Sequence, residues 1–263
     1  MRVSLLVATV FLFIIGMLVS SSYAEIDPKT AVAAWLFEEG AGTVAEDSSG
    51  SGNDGTIEGG PSWVDGRFGK ALDFDGADDQ VIVPDSPSLE LEHITMAAWV
   101  YLRSYSDDAR IITQEVDGAP YSTYSLMMSG DGESKLEFRI ALDNSRKRIP
   151  SDADVSLNQW THVAATYDGA NAVVYIDGEI DKAEAQTGAL LATDNPVYIG
   201  GSQFWVPRFF DGLMDDAAVF NVALSQDDIR SLMDNGLADA IAAPSAVSPH
   251  SKLAATWAQL KRQ

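Results

Sequence analysis

Trp160-Thr161-His162-Val163-Ala164-Ala165-Thr166-Tyr167-Asp168-Gly169-Ala170-Asn171-Ala172-Val173-Val174-Tyr175-Ile176-Asp177-Gly178 holds two runs of β-branched and aromatic residues, each closed by an Asp-Gly pair. Glycine takes the positive φ that a tight hairpin turn demands, so residues 161–180 read as a hairpin and the start of a return strand. The same grammar extends outward. Upstream, Ala33 to Phe37, Gln80 to Val83, Thr95 to Leu102, Arg110 to Gln114, Tyr124 to Met128 and Leu136 to Ala141 are short apolar runs set between Asp, Gly, Asn and Pro. Downstream, Val197 to Ile199 and Leu213 to Phe220 repeat the pattern, and helical periodicity is scarce before Leu224. Thr95, Ala97, Trp99 and Tyr101 share one strand face and Met96, Ala98 and Val100 the other; both are fairly apolar, which predicts a central strand. The expected class is all-β: two packed antiparallel sheets.

One short helix is expected after the last strand. Ser225 caps it, Asp228 follows three residues on, Ile229, Leu232 and Met233 share a face, and Asn235-Gly236 stops it. Residues 237–251, rich in Ala, Pro and Ser, read as a linker, and 252–263 as a short basic amphipathic tail, marginal as an isolated helix. At the other end, Met1-Arg2, the apolar run Val3 to Ser20 and the small-x-small site Ser22-Tyr23-Ala24 read as a secretory signal peptide over 1–24. An uncleaved anchor is the competing reading, because the run approaches the roughly 20 residues that cross a bilayer. The expectation is one secreted or extracytoplasmic domain over 28–236, free of the membrane after signal removal.

The chain has no cysteine, which excludes disulfides and lipid attachment at an export cysteine. A formal net charge of −22 repels nucleic-acid phosphates and anionic lipid, so neither is an expected partner. Stability must come from sheet packing, and the excess of acids admits a metal ion. The plainer reading of the same charge is solubility.

Ala34-Trp35-Leu36-Phe37-Glu38-Glu39-Gly40 is followed by Asp47-Ser48-Ser49-Gly50-Ser51-Gly52-Asn53-Asp54-Gly55 and Gly66-Arg67-Phe68-Gly69-Lys70-Ala71-Leu72-Asp73-Phe74-Asp75-Gly76. Next come Trp99-Val100, Trp160 to Ala164, Tyr175-Ile176-Asp177-Gly178, Phe210-Asp211-Gly212-Leu213-Met214-Asp215-Asp216 and Ala223-Leu224-Ser225. This ordered set, from about Val32 to Gly236, resembles the laminin-G-like group of the concanavalin A-like lectin and glucanase folds. The resemblance implies a two-sheet jelly-roll sandwich, usually extracellular, often holding one calcium ion and often binding glycans or proteins. Such a fold hosts lectins, enzyme appendages, adhesion modules and hydrolases alike, so ligand and activity must be argued from sites.

Calcium needs about six to eight oxygen ligands. Three acidic places could contribute: the loop Asp47 to Gly55, the segment Asp73 to Asp79, and the pair Asp215-Asp216 inside an apolar run. A carboxylate buried in such a run needs a cation, an arginine or several N–H groups. The resemblance implies calcium joining the first loop to the last strand, with Asp47, Asn53, Asp215 and Asp216 as ligands; the alternative is that these are turn and sheet-edge acids without a metal.

For a glycan, the expected ligand-binding residues are Phe204, Trp205, Arg208 and Tyr121, with Trp205 as the stacking platform in the apolar loop Ser202 to Phe210. The alternative is that this loop packs on the sandwich edge, with Phe209 and Phe210 in the core. Arg146-Lys147-Arg148 is either a dock for an anionic sugar or a solvated strand edge.

Catalytic residues are not expected. The E-x-D-x-x-E carboxylate pattern of hydrolases on this fold begins at Glu115-Val116-Asp117 but fails at Gly118-Ala119-Pro120. A thiol nucleophile is impossible, and His93, His162 and His250 are too scattered for a zinc centre. The functional expectation is an extracytoplasmic binding module, carbohydrate-binding or adhesive and calcium-stabilised, whose partner is a glycan or a cell-surface protein. The alternatives are a hydrolase with an atypical carboxylate pair and a protein-binding structural module. Oligomeric state is not legible.

Overall fold

The computed structural model describes residues 26–130, 133–202 and 208–242. The expected signal peptide and basic tail therefore lie outside the described residues. Two eight-stranded sheets, antiparallel throughout, stack face to face. The first is ordered β14 (Glu179–Ala185), β13 (Asn171–Ile176), β12 (Trp160–Tyr167), β7 (Ile94–Leu102), β16 (Asp211–Phe220), β5 (Lys70–Asp75) and β4 (Ser62–Asp65), with β1 (Ala31–Trp35) also paired to β16. The second is ordered β11 (Ser145–Asp154), β10 (Lys135–Leu142), β9 (Ser122–Met128), β8 (Arg110–Glu115), β15 (Val197–Ile199), β6 (Gln80–Val83), β3 (Gly55–Glu58) and β2 (Val44–Ala45). The expected jelly-roll sandwich is what forms.

The inner faces supply the core by strand alternation. Trp35, Leu72, Phe74, Met96, Val100, Val163 and Val219 from the first sheet meet Val81, Ile112, Leu126, Phe138 and Ile140 from the second. β7 lies between β12 and β16, as its two apolar faces predict. Its outer face meets a second apolar cluster. There Ala34, Ala218, Ala97 and Ala164 stand in one row across β1, β16, β7 and β12. These small side chains leave room for Ile229, Leu232 and Leu237 to pack in the same cluster.

Those apolar residues come from α1 (Gln226–Asn235) and α2 (Leu237–Ile241). Ser225 and Asp228 form the expected capping box at the start of α1. The second helix occupies the beginning of the stretch read as a linker. The β13–β14 turn is the Asp177-Gly178 pair, with φ of 48° and 74°, the double positive φ of a two-residue hairpin.

The sequence marks β11 and β14, two sheet edges, only in part, as a solvated strand edge at Arg146-Lys147-Arg148 and as the start of a return strand, because Ser145–Asp154 and Glu179–Ala185 are charge-rich. Edge strands need only one pairing partner and keep charge where it blocks further pairing. Among the described residues, no helix is long and apolar enough to cross a membrane.

Candidate functional site

Alternation directs Tyr124, Leu126 and Met128 of β9 and Leu136, Phe138 and Ile140 of β10 into the core. Glu137 and Arg139 must then project from the opposite face of the second sheet, beside Arg148, which pairs directly with Arg139 across β10–β11. Two arginines facing each other repel unless an anion lies between them. Glu137 supplies it. Its two oxygens accept Arg148 Nε and Nη2, each at 2.7 Å, and one of them also accepts Arg139 Nε. Burial alone would raise the Glu137 carboxyl, but hydrogen bonds and charge from Arg148 and Arg139 outweigh it and hold it below the ordinary range.

Asp108, in the loop entering β8, extends the network. It accepts Arg139 Nη2 at 2.6 Å on one oxygen and meets Arg208 Nη2 at 3.3 Å on the other. Its carboxyl too is lowered: burial pushes it up, and Arg139, with Arg110 and Arg208 farther off, pulls it down by more. Arg110, at the head of β8 and 2% exposed, donates from Nε to Glu115 at 2.8 Å, while Ser202 Oγ donates to the other Glu115 oxygen at 2.8 Å.

These groups line a cavity of about 280 Å³ bounded by Asp108, Arg110, Arg139, Arg146, Arg208 and the segment Pro120-Tyr121-Ser122. Tyr121 is 41% exposed and sits at φ 76°, a left-handed conformation uncommon for a non-glycine residue and frequent at ligand clamps. The Arg146 guanidinium lies 5.4 Å from its ring centroid.

Two of the expected ligand-binding residues, Tyr121 and Arg208, meet at this cavity. Phe204 and Trp205 lie outside the described residues. Phe209 and Phe210, flanking that segment, are buried, and Phe210 joins the main core. Arg110, Arg139 and Asp108 were missed. The available signal was alternation in Leu136-Glu137-Phe138-Arg139, which sets two charges on one face.

The expected metal residues fall into two networks. Asp47 accepts Ala34 N and Ser49 N on Oδ1, and Ser49 Oγ and Asn53 N on Oδ2, each at 2.9 Å. The Asn53 side chain donates to Val32 O at 2.6 Å and to Ser88 Oγ at 2.8 Å. Elsewhere, Asp215 Oδ2 accepts the backbone N–H groups of Arg67 and Phe68, and Asp216 accepts that of Leu237, all at 2.8 Å. Burial pushes both acids up, Asp215 to about 7 with help from the Asp216 charge, and Asp216 to about 6. In the third acidic place, Asp75, Asp78 and Asp79 bring carboxylate oxygens within 4.8 Å of one another. His162 is buried edge-on against Trp99, ring centroids 5.4 Å apart, and burial pushes its imidazole down to about 3, so it packs as a neutral ring.

A laminin G family model, described as the concanavalin A-like lectin/glucanases superfamily, matches residues 75–230. Pappalysin-1 of Mus musculus is 24% identical over 181 residues, covering 63% of this chain and 11% of that protein. Among solved structures, domain 4 of AbnA, a GH43 extracellular arabinanase from Geobacillus stearothermophilus, in complex with arabinotriose, is similar at TM-score 0.65 and 20% identity, covering 80% of this chain and all of that one. The binding domain of Paraclostridial Mosquitocidal Protein 1 (TM-score 0.63, 15% identity, 79% of this chain) and that of botulinum neurotoxin DC in complex with rat synaptotagmin II (TM-score 0.61, 15% identity, 79% of this chain) share the fold. This chain spans 52% of each of those two binding domains. With more than half of its length matched by the family model, the chain belongs to the laminin-G-like branch of the concanavalin A-like lectin/glucanase superfamily.

Proposed function

We propose that this protein is a non-catalytic, extracytoplasmic module that binds a glycan in the cavity over β8–β11. The observation that carries the reading is the cavity itself: a concave site next to an exposed Tyr121 ring, ringed by guanidinium donors that other side chains hold in place. Two further facts support it. Glu137, the fully buried carboxylate of this face, is held ionised between two arginines and so is unsuited to act as a general acid. A domain of the same fold binds arabinotriose. Secretion rests on the apolar start and Ser22-Tyr23-Ala24.

Calcium belongs to the same proposal. Asp75, Asp78 and Asp79 offer the hard carboxylate oxygens that calcium prefers, and an ion there would brace the β5–β6 connection. Added calcium should raise the melting temperature of chelator-treated protein, and Asp78→Asn should remove the effect. If the effect persists in Asp78→Asn, the ion is held elsewhere, either in the Asp47–Asn53 loop or beside Asp215 and Asp216, which the fold keeps as two separate networks.

An oligosaccharide array probed with the full chain tests the binding function. Sugar binding that weakens about tenfold in Tyr121→Ala is the expected result, in line with loss of one aromatic platform. Release of reducing ends from bound sugar would make the protein a hydrolase, and capture of a cell-surface protein that free sugars do not displace would favour protein recognition. That second reading is favoured by the fold's occurrence in a synaptotagmin-bound toxin domain.

A further inference from the structure

We infer that the cavity over β8–β11 selects its sugar by a carboxylate, so that the ligand is an acidic glycan, carrying a uronate or a similar carboxylated residue. The inference deepens the glycan-binding reading and rests on it.

Charge is the first ground. Four guanidinium groups line the cavity, Arg110, Arg139, Arg146 and Arg208, against one lining carboxylate, Asp108, with Glu115 and Glu137 behind Arg110 and Arg139, which leaves one positive charge in excess at the lining. This stands on a chain of net charge −22, where a cationic hollow is against the general trend. The buried Arg110 and Arg139 are already paired, so the excess lies with Arg146 and Arg208 at the more exposed side of the cavity, where an incoming anion can meet it.

The second ground is donor and acceptor count. A neutral sugar presents hydroxyls that both give and take hydrogen bonds, so its pocket needs acceptors as well as donors. Asp108 is the one carboxylate in the cavity lining, and both its oxygens already face Arg139 and Arg208. Tyr121 and Ser122 add one hydroxyl each, which both gives and takes, whereas the four arginines of the lining can only donate. A carboxylate, which only accepts, is the complementary group.

The third ground is geometry. Glu115 fixes Arg110, and Glu137 and Asp108 fix Arg139, from the protein side. The remaining N–H groups of these planar forks are thereby preorganised, and a guanidinium edge matches two carboxylate oxygens better than a point charge does. Arg146 and Arg208 lie at the same cavity. Its 280 Å³ falls just below the roughly 300–1,000 Å³ usual for small-molecule sites, which suits one sugar residue rather than a long polyanion.

Calorimetry with the full chain tests this. The probes are oligogalacturonate, hyaluronan oligosaccharide and sialyllactose, each paired with its methyl ester, together with neutral arabino-oligosaccharide and dextran sulfate. At least one carboxylated sugar should bind, and esterification should weaken it by about tenfold or more, the value of a charge-assisted hydrogen bond. Arg146→Ala and Arg208→Ala should produce the same loss with the melting curve preserved. Lys147→Ala should not: it removes an equal charge from the neighbouring position, which pairs with the core residue Ile140 and so points to the other face. If acid and ester bind equally and the arginine variants are indifferent, the acidic selectivity is wrong while glycan binding stands. If no sugar binds, glycan binding falls with it. Dextran sulfate binding more tightly than every carboxylated sugar, or equal losses in Lys147→Ala and Arg146→Ala, overturns carboxylate selection in favour of sulfate or of diffuse attraction.

Discussion

Arg67 and Asp215, 148 positions apart in the chain, are joined by a backbone N–H to carboxylate hydrogen bond of 2.8 Å. The Phe68 N–H shares the same oxygen, so the turn between β4 and β5 is anchored to the middle of β16. Gly66 must be glycine for this to close, since a Cβ there would stand 2.5 Å from that oxygen. The Arg67 guanidinium does not pair with Asp215; it lies 4.7 Å from the centroid of the Trp99 ring. The second Asp215 oxygen is buried without a hydrogen-bond partner among the described residues.

That arrangement makes stability depend on pH. Burial, then the Asp216 charge, lifts the Asp215 carboxyl from an ordinary 3.8 to about 7 in the folded chain. With the folded value above the unfolded one, the contribution is fully present below about pH 4 and is lost as pH rises through 7. Asp216, lifted to about 6, acts in the same direction. Urea unfolding should give a free energy that falls between pH 5 and pH 8 by on the order of 3 kcal/mol. Asp215→Asn keeps an acceptor for both N–H groups and should flatten much of that slope; a variant as pH-dependent as the parent removes this explanation.

Glu137 is the single anion between Arg139 and Arg148, which pair directly across two strands. Glu137→Ala leaves like charges opposed and one of them largely buried, and should cost about 3–5 kcal/mol in urea unfolding. Arg148→Ala, at a half-exposed position, should cost clearly less. Equal losses would contradict the asymmetry of the network.

The row Ala34, Ala218, Ala97 and Ala164 keeps the outer face of the first sheet flat beneath the helices. Ala97→Leu should push α1 outward at a cost of about 1–3 kcal/mol, with faster amide exchange confined to α1 and α2. Exchange that rises in the second sheet instead would mean that α1 does not rest on this row.

Ser225 Oγ accepts the Asp228 N–H at 3.2 Å while Asp228 returns a bond to the Ser225 N–H at 3.0 Å. Ser225→Ala should cost about 1 kcal/mol, read as a fall of about 2–4 °C in melting temperature for a domain of this size. Ser225→Asp should recover most of it, whereas an unchanged melting temperature in Ser225→Ala would show that the cap contributes little.

Strands β6 and β15 coincide at both ends with the runs read from the sequence, because each is short, apolar and bounded by turn residues. The capped helix was legible for a similar reason: a capping box is written within four residues. Part of the cavity was legible as well. Tyr121 and Arg208 stood out as candidates one at a time, and Arg146-Lys147-Arg148 as a basic cluster. Arg110 and Arg139 did not, since an arginine in a strand usually marks a solvated face, and nothing local says that loops from three parts of the chain will cover it.

Turn chemistry and side-chain alternation were enough to determine the two-sheet sandwich and its closing helix, for those properties act between near neighbours in the chain. Only the tertiary structure decided that Asp47 ties its own loop to β1, that Asp215 holds a distant turn, and that arginines from β8, β10, β11 and the approach to β16 surround one hollow. Strand register and loss of water set those outcomes, and both depend on which distant segments become neighbours.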